Sequence, residues 1–149
     1  MDHPEVSLDV DLDEFLQEIC ELPLSELESL ATEFLSTDAL PRDYINSLDE
    51  NHQNIALRAC LLVNLTSKCR IIPQQYQLEA SNGLEDGRDI IVDSGTGSGK
   101  TLCVIIPNLL HLNTTSMTIF PLKRLQILRV RTCLIILRRF SKISLRRRN

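Results

Sequence analysis

Ile90-Ile91-Val92-Asp93-Ser94-Gly95-Thr96-Gly97-Ser98-Gly99-Lys100-Thr101 is the stretch from which the rest of this sequence is best read. Three apolar residues of high strand propensity run into a glycine-rich turn that closes on Lys-Thr, and an apolar segment continues to Ile106. A polyphosphate needs many hydrogen-bond donors close together and little side-chain bulk around it. Gly95, Gly97 and Gly99 allow that approach, because glycine adopts backbone conformations other residues resist. The amides from about Gly97 to Thr101 would face the anion, assisted by the N-terminus of the following helix. Lys100 would add a positive charge at the terminal phosphates and the Thr101 hydroxyl would ligate Mg²⁺. The strict pattern asks for glycine where Ser94 stands, and serine is small enough to fit. Gly95, Thr96, Gly97, Ser98, Gly99, Lys100 and Thr101 are therefore the phosphate-binding candidates.

Working outward, Ile90 to Val92 predicts a buried parallel strand. A helix should start within the loop and run toward Ile106, with Pro107 ending or kinking it. Met117 to Phe120 predicts a second strand. Strand, loop, helix, strand is a β-α-β unit with parallel strands and a right-handed crossover. Upstream, Gln77 to Leu84 predicts a short helix ending near Gly83 or Gly87. Residues 9 to about 68 read as helices, with Leu12, Phe15, Leu16 and Ile19 on one face and Leu27, Leu30, Ala31 and Phe34 on the next. Ser25 with Glu28, and Ser47 with Glu50, fit capping boxes. Pro23 and Pro41 punctuate the segments.

Charge divides the 149 residues sharply. Up to Asp93 there are 20 acidic and five basic residues, a net charge of −15; from Ser94 onward there are 11 basic residues and no acidic one, a net charge of +11. An acidic, partner-binding or merely solvated half is thus joined to a half suited to polyanions. Cys20, Cys60, Cys69, Cys103 and Cys133 form no C-x-x-C pair and sit in apolar stretches, which predicts buried reduced thiols rather than disulfides or metal ligands. The acidic start carries no secretory pattern, and the longest apolar stretch, Leu102 to Leu112, is too short to span a bilayer. An intracellular protein, with the nucleus favoured and no membrane partner, is the expectation.

Residues 77 to 126 resemble the first motor lobe of superfamily-two (DEAD/DEAH-type) helicases, the RecQ-like branch in particular. The similarity rests on the loop, on Gly87-Arg88-Asp89 before it, on Leu102-Cys103 with Ile106-Pro107 and Leu109-Leu110 after it, and on Pro121-Leu122 with Leu125. The resemblance implies an α/β fold, a partial RecA-like P-loop lobe over residues 69–128; the acidic all-helical region over 1–68 that precedes it is read from its apolar spacing and takes no support from the resemblance. It implies ATP and Mg²⁺ as cofactors, with DNA, single-stranded or duplex, as a partner. Gln77 stands where the family reads the adenine edge, a role suited to an amide that donates and accepts at once. Pro121, Leu122 and Lys123 stand where the family meets the nucleic-acid backbone. Phe120, Gln74 and Leu128-Arg129 depart from the family's serine, arginine and Asp-Gln.

The family's Asp-Glu-x-His motif, which supplies the metal-holding carboxylate, has no counterpart here, because no Asp or Glu follows Asp93. No catalytic residue is assigned, and an ATP-binding segment inactive by itself is the expectation. Residues 129–149 read as a basic tail in which the family pattern is lost, through truncation or a change of reading. Two other functions fit the same residues: a non-catalytic adaptor whose acidic helices bind a protein, and a different P-loop NTPase completed by a partner chain.

Overall fold

The computed structural model describes residues 15–68, 70–111, 117 and 119. Within them the chain forms α1 over residues 15–19, α2 (Leu24–Phe34), α3 (Arg42–Asn46), α4 (Glu50–Thr66), α5 (Gln75–Glu85) and α6 (Thr101–Leu110). α4 is the hub. Every residue from Ala59 through Thr66 is buried, so this half of the helix is enclosed on all sides. It packs against α2, α3, α5 and α6, and α5 packs against α6. One core results, running from Leu16 and Ile19 through Leu27, Leu61 and Leu78 to Ile106 and Leu109.

Local chemistry sets the ends of these helices. Asp49 rather than Ser47 caps α4, its carboxylate accepting from the amides of Asn51 (3.1 Å) and His52 (3.2 Å). A carboxylate is the stronger acceptor for orphan amides and also faces the positive end of the helix dipole. Ser47 instead closes α3, donating to the Tyr44 carbonyl at 2.6 Å. Pro23 stands at the N-cap of α2, so the helix begins before Ser25. The Arg58 guanidinium, on α4, donates to the carbonyls of Ile19 (3.1 Å) and Leu22 (3.2 Å), satisfying acceptors left open where α1 ends. At its other end α5 stops in a Schellman turn: Arg88 N–H donates to Gly83 O (3.0 Å) and Gly87 N–H to Leu84 O (2.9 Å). That turn needs a left-handed residue, and Gly87 supplies it at φ 73°.

The expected α/β lobe is not formed among the described residues, which contain no strand and no sheet. Residues 90–92 are irregular, with Ile91 96% exposed, and Met117 and Ile119 of the second expected strand are 86% and 81% exposed. A strand exists only through its neighbours, and high strand propensity supplies no ladder partner. α6 satisfies its apolar face by other means. Cys103, Ile105, Ile106 and Leu109 are buried, within a helix that packs on α4 and α5 where a sheet was expected. Pro107 lies inside α6 and does not end it; His111 N–H bonds the Pro107 carbonyl at 3.1 Å. The thiols of Cys20, Cys60 and Cys103 are free, and burial pushes that of Cys60 up to about 12. Leu12, Cys69 and Cys133 lie outside the described residues.

A histidine ties the N-terminus of α4 to the turn after α5. His52 Nδ1 is bonded to the Asp49 carboxylate and Nε2 lies 2.8 Å from Asp86 Oδ1, while Arg88 donates to Asp86 Oδ2 at 2.8 Å. Two carboxylates can accept from both ring nitrogens only when the imidazole carries two protons. Its hydrogen bonds to Asp49 and then Asp86 raise the His52 pKa above 6.5, and the His52 bond holds both carboxylates below 3.8. The imidazolium contribution is fully present below pH 6.5 and is lost as pH rises through the raised folded value. The carboxylate contribution is present above pH 3.8 and is lost as pH falls through the lowered values. The clasp is therefore strongest between these limits. Urea midpoints measured from pH 5 to pH 8 should fall for the wild type and lose most of that slope in His52→Gln; parallel slopes would show that the clasp contributes nothing.

Candidate nucleotide-binding loop

The loop is suspended between two helices, and both take part in shaping it. Residues 94–100 leave an irregular segment and lead directly into α6 at Thr101. Gly97 and Gly99 have φ of 82° and 85°, a left-handed conformation that a side chain disfavours. Gly95 has no such requirement. The Ser94 and Ser98 hydroxyls lie 2.6 Å apart, and Ser98 N–H donates to Gly95 O at 3.3 Å. Lys100 folds its ammonium back over the loop, donating to the carbonyls of Ser94 and of Gly95, the latter at 2.8 Å. To meet a phosphate the ammonium would exchange two carbonyl partners for a charged one, which is the stronger bond.

α5 holds the other side. Gln77 is 2% exposed, and its two ends have separate partners. Its Oε1 accepts from Gln74 N–H at 2.8 Å, closing the first turn of α5, and its Nε2 donates to Gly99 O at 2.9 Å. Tyr76, next to it, donates its hydroxyl hydrogen to Ser98 O at 2.5 Å. Sequence inspection singles out Gln77 and not Tyr76, since a lone tyrosine on a helix carries no signal of what its hydroxyl reaches. Gly99 is fixed by space as well as by φ: a Cβ there would sit 2.9 Å from Gln77 Nε2.

The structure thus brings together Gln77, Ser94, Gly95, Ser98, Gly99 and Lys100, with Thr96 and Gly97 exposed at the tip and Thr101 half-buried at the start of α6. Their arrangement fits the phosphates of a nucleotide: left-handed glycines, a lysine over the loop and a helix start behind it. For Mg²⁺ the fit is limited to the Thr101 hydroxyl. Among the described residues no group of three or more His, Cys, Asp or Glu could hold a metal ion. Asp93 is exposed, ahead of the loop. Pro121, Leu122 and Lys123 lie outside the described residues.

The glycines should differ on substitution. Gly95→Ala should leave stability near wild type, because nothing lies within 4 Å of a Cβ there. Gly97→Ala should cost roughly 1–2 kcal/mol for the left-handed backbone. Gly99→Ala should cost more than Gly97→Ala, since Gln77 must also give way. Urea unfolding of the three variants orders them, and an equal cost at Gly95 and Gly99 would contradict the geometry.

No curated protein and no solved structure matches the chain. Residues 74–145, which begin at the N-cap of α5 and include the whole loop, match the family model described as DEAD/DEAH box helicase, and this similarity supports the helicase superfamily.

Proposed function

We propose that this chain is a RecQ-like helicase segment that binds ATP through the loop from Gly95 to Thr101. The observation that carries the proposal is the loop itself, with two left-handed glycines ahead of Lys100 and α6. Lys100 supplies the charge at the β- and γ-phosphates, and the Thr101 hydroxyl supplies one ligand to a phosphate-borne Mg²⁺. Recognition of adenine by Gln77 belongs to the same proposal, and it requires the amide to exchange its bond to Gly99 for the base edge. Contact with DNA by Pro121, Leu122 and Lys123, among the basic residues after Ser94, completes it. The family similarity, with Gly87-Arg88-Asp89 before the loop and Leu102-Cys103 and Ile106-Pro107 after it, supports this reading over an adaptor.

Removing the lysine takes away charge-assisted bonds worth roughly 1.5–3 kcal/mol, whereas the threonine acts mainly through the metal. Titration with a fluorescent ATP analogue in EDTA should therefore show a larger loss for Lys100→Ala than for Thr101→Ala, with the gap narrowing in Mg²⁺. Equal losses in EDTA would remove the assigned roles.

Hydrolysis needs a carboxylate on the metal and a group that positions water. The 149-residue chain carries no acid from Ser94 onward. It should bind ATP without turnover, in the presence or absence of single-stranded DNA. Phosphate release above about 1 per second, the range of competent enzymes, that disappears in Lys100→Ala would overturn this and point to Asp93.

A further inference from the structure

Gln77 and Tyr76 are consecutive residues in the first turn of α5, and each holds one of two consecutive carbonyls of the loop. Tyr76 holds Ser98 O at 2.5 Å and Gln77 holds Gly99 O at 2.9 Å. The chain has no cis peptide among its described residues, so in each peptide unit the carbonyl and the next N–H point in opposite directions. Drawing the Ser98 and Gly99 carbonyls toward α5 therefore turns the amides of Gly99 and Lys100 away from it. Gly99 has a left-handed φ of 85° and Lys100 is right-handed at φ −48°, the change of hand between neighbours from which anion-binding nests are built.

The donors around the tyrosine are ordered as well. The Gln77 amide has two hydrogens; one goes to Gly99 O and the other faces the Tyr76 hydroxyl at 3.2 Å. A hydroxyl that accepts from Gln77 is left to spend its single hydrogen on Ser98 O. The result is a relay, Gln77 to Tyr76 to Ser98, that runs from a buried side chain to the loop.

We propose that Tyr76 is a positioning residue for polyphosphate binding: through its hydroxyl it locks the Ser98–Gly99 peptide and so presents the loop amides before any ligand arrives. This rests on the triphosphate reading given above. The tyrosine does not touch the ligand. Its effect is preorganisation, since a loop that samples other peptide orientations binds in proportion to the time it spends in the competent one.

The experiment compares the full chain with its Tyr76→Phe variant, which keeps the ring and loses only the hydroxyl. Tyr44→Phe is the control, because the Tyr44 hydroxyl bonds Asn82 at 3.2 Å and does not reach the loop. Two quantities are read: amide hydrogen exchange over residues 94–101 without ligand, and affinity for inorganic tripolyphosphate. Loss of one net hydrogen bond corresponds to about 2–10-fold in each. The expected result is exchange faster by about that factor in the loop, tripolyphosphate affinity weaker by a similar factor, and unchanged exchange in α4. Tyr44→Phe should change neither loop exchange nor affinity. Wild-type loop exchange and affinity in Tyr76→Phe overturn the proposal, as does loosening of α4 together with the loop, which would make the tyrosine a general packing residue. If the loop loosens but the wild-type chain binds no tripolyphosphate, the triphosphate reading is what fails, and the affinity claim falls with it.

Discussion

Enclosure of the second half of α4 is the constraint on which the rest of the described structure depends. Leu61, Leu62 and Val63 are consecutive and buried, so no single neighbour can cover them. Fully burying a side chain of this kind contributes about 1.5–3 kcal/mol, comparable for a few residues to the net stability of a whole domain. The helix therefore gathers α2 and α3 from the acidic half, and α5 and α6 from the segment around the loop. Because α5 and α6 are both fixed to α4, the two ends of the candidate site acquire defined positions, with Gln77 buried on α5 and Thr101 half-buried at the start of α6.

That arrangement gives Gln77 its part. It lies on a helix whose apolar side chain at Leu78 is in the core, and its own amide is buried beside it. A buried amide must find partners. It finds one in its own helix turn at Gln74 and another in the loop at Gly99. Polar satisfaction in the interior and order in the loop are thus the same set of bonds. Loop shape is coupled to packing through the side chains of Tyr76 and Gln77.

The turn after α5 is the other junction. Gly87 allows the chain to reverse, Ile90 lies over Gly83 where a larger side chain would collide with it, and Asp86 meets His52 from α4. Glu85, one residue earlier, meets His111 at 2.7 Å, beyond the C-terminal end of α6. Histidines from two different segments thus meet adjacent carboxylates at one corner. The Gly87-Arg88-Asp89 stretch that stands out as a motif is, structurally, the corner by which the loop's approach is anchored.

Helices, loop and charge division were legible in the sequence because each rests on local physics. Apolar spacing marks the faces carrying Leu16, Ile19, Leu27 and Ala31, and glycine spacing marks where the backbone can turn left-handed at Gly97 and Gly99. The Asp49 cap was less legible, since Ser47 and Asp49 are both good cap residues and only the placement of α3 decides between them. The expected sheet is missing among the described residues for a similar reason. Ile90, Ile91 and Val92 have the propensity for a strand, yet pairing is a relation between distant segments, and their composition says nothing of whether a partner is in reach. Tyr76 was invisible for the same cause, being 22 residues from the carbonyl it holds. What the sequence determined by itself is therefore the place of the left-handed glycine turn at Gly97 and Gly99 and the helical periodicities, which depend on neighbours within one or two turns. Tertiary structure alone decided that α6 packs on helices instead of a sheet and that α5 grips the loop, because those outcomes depend on which buried surfaces find each other.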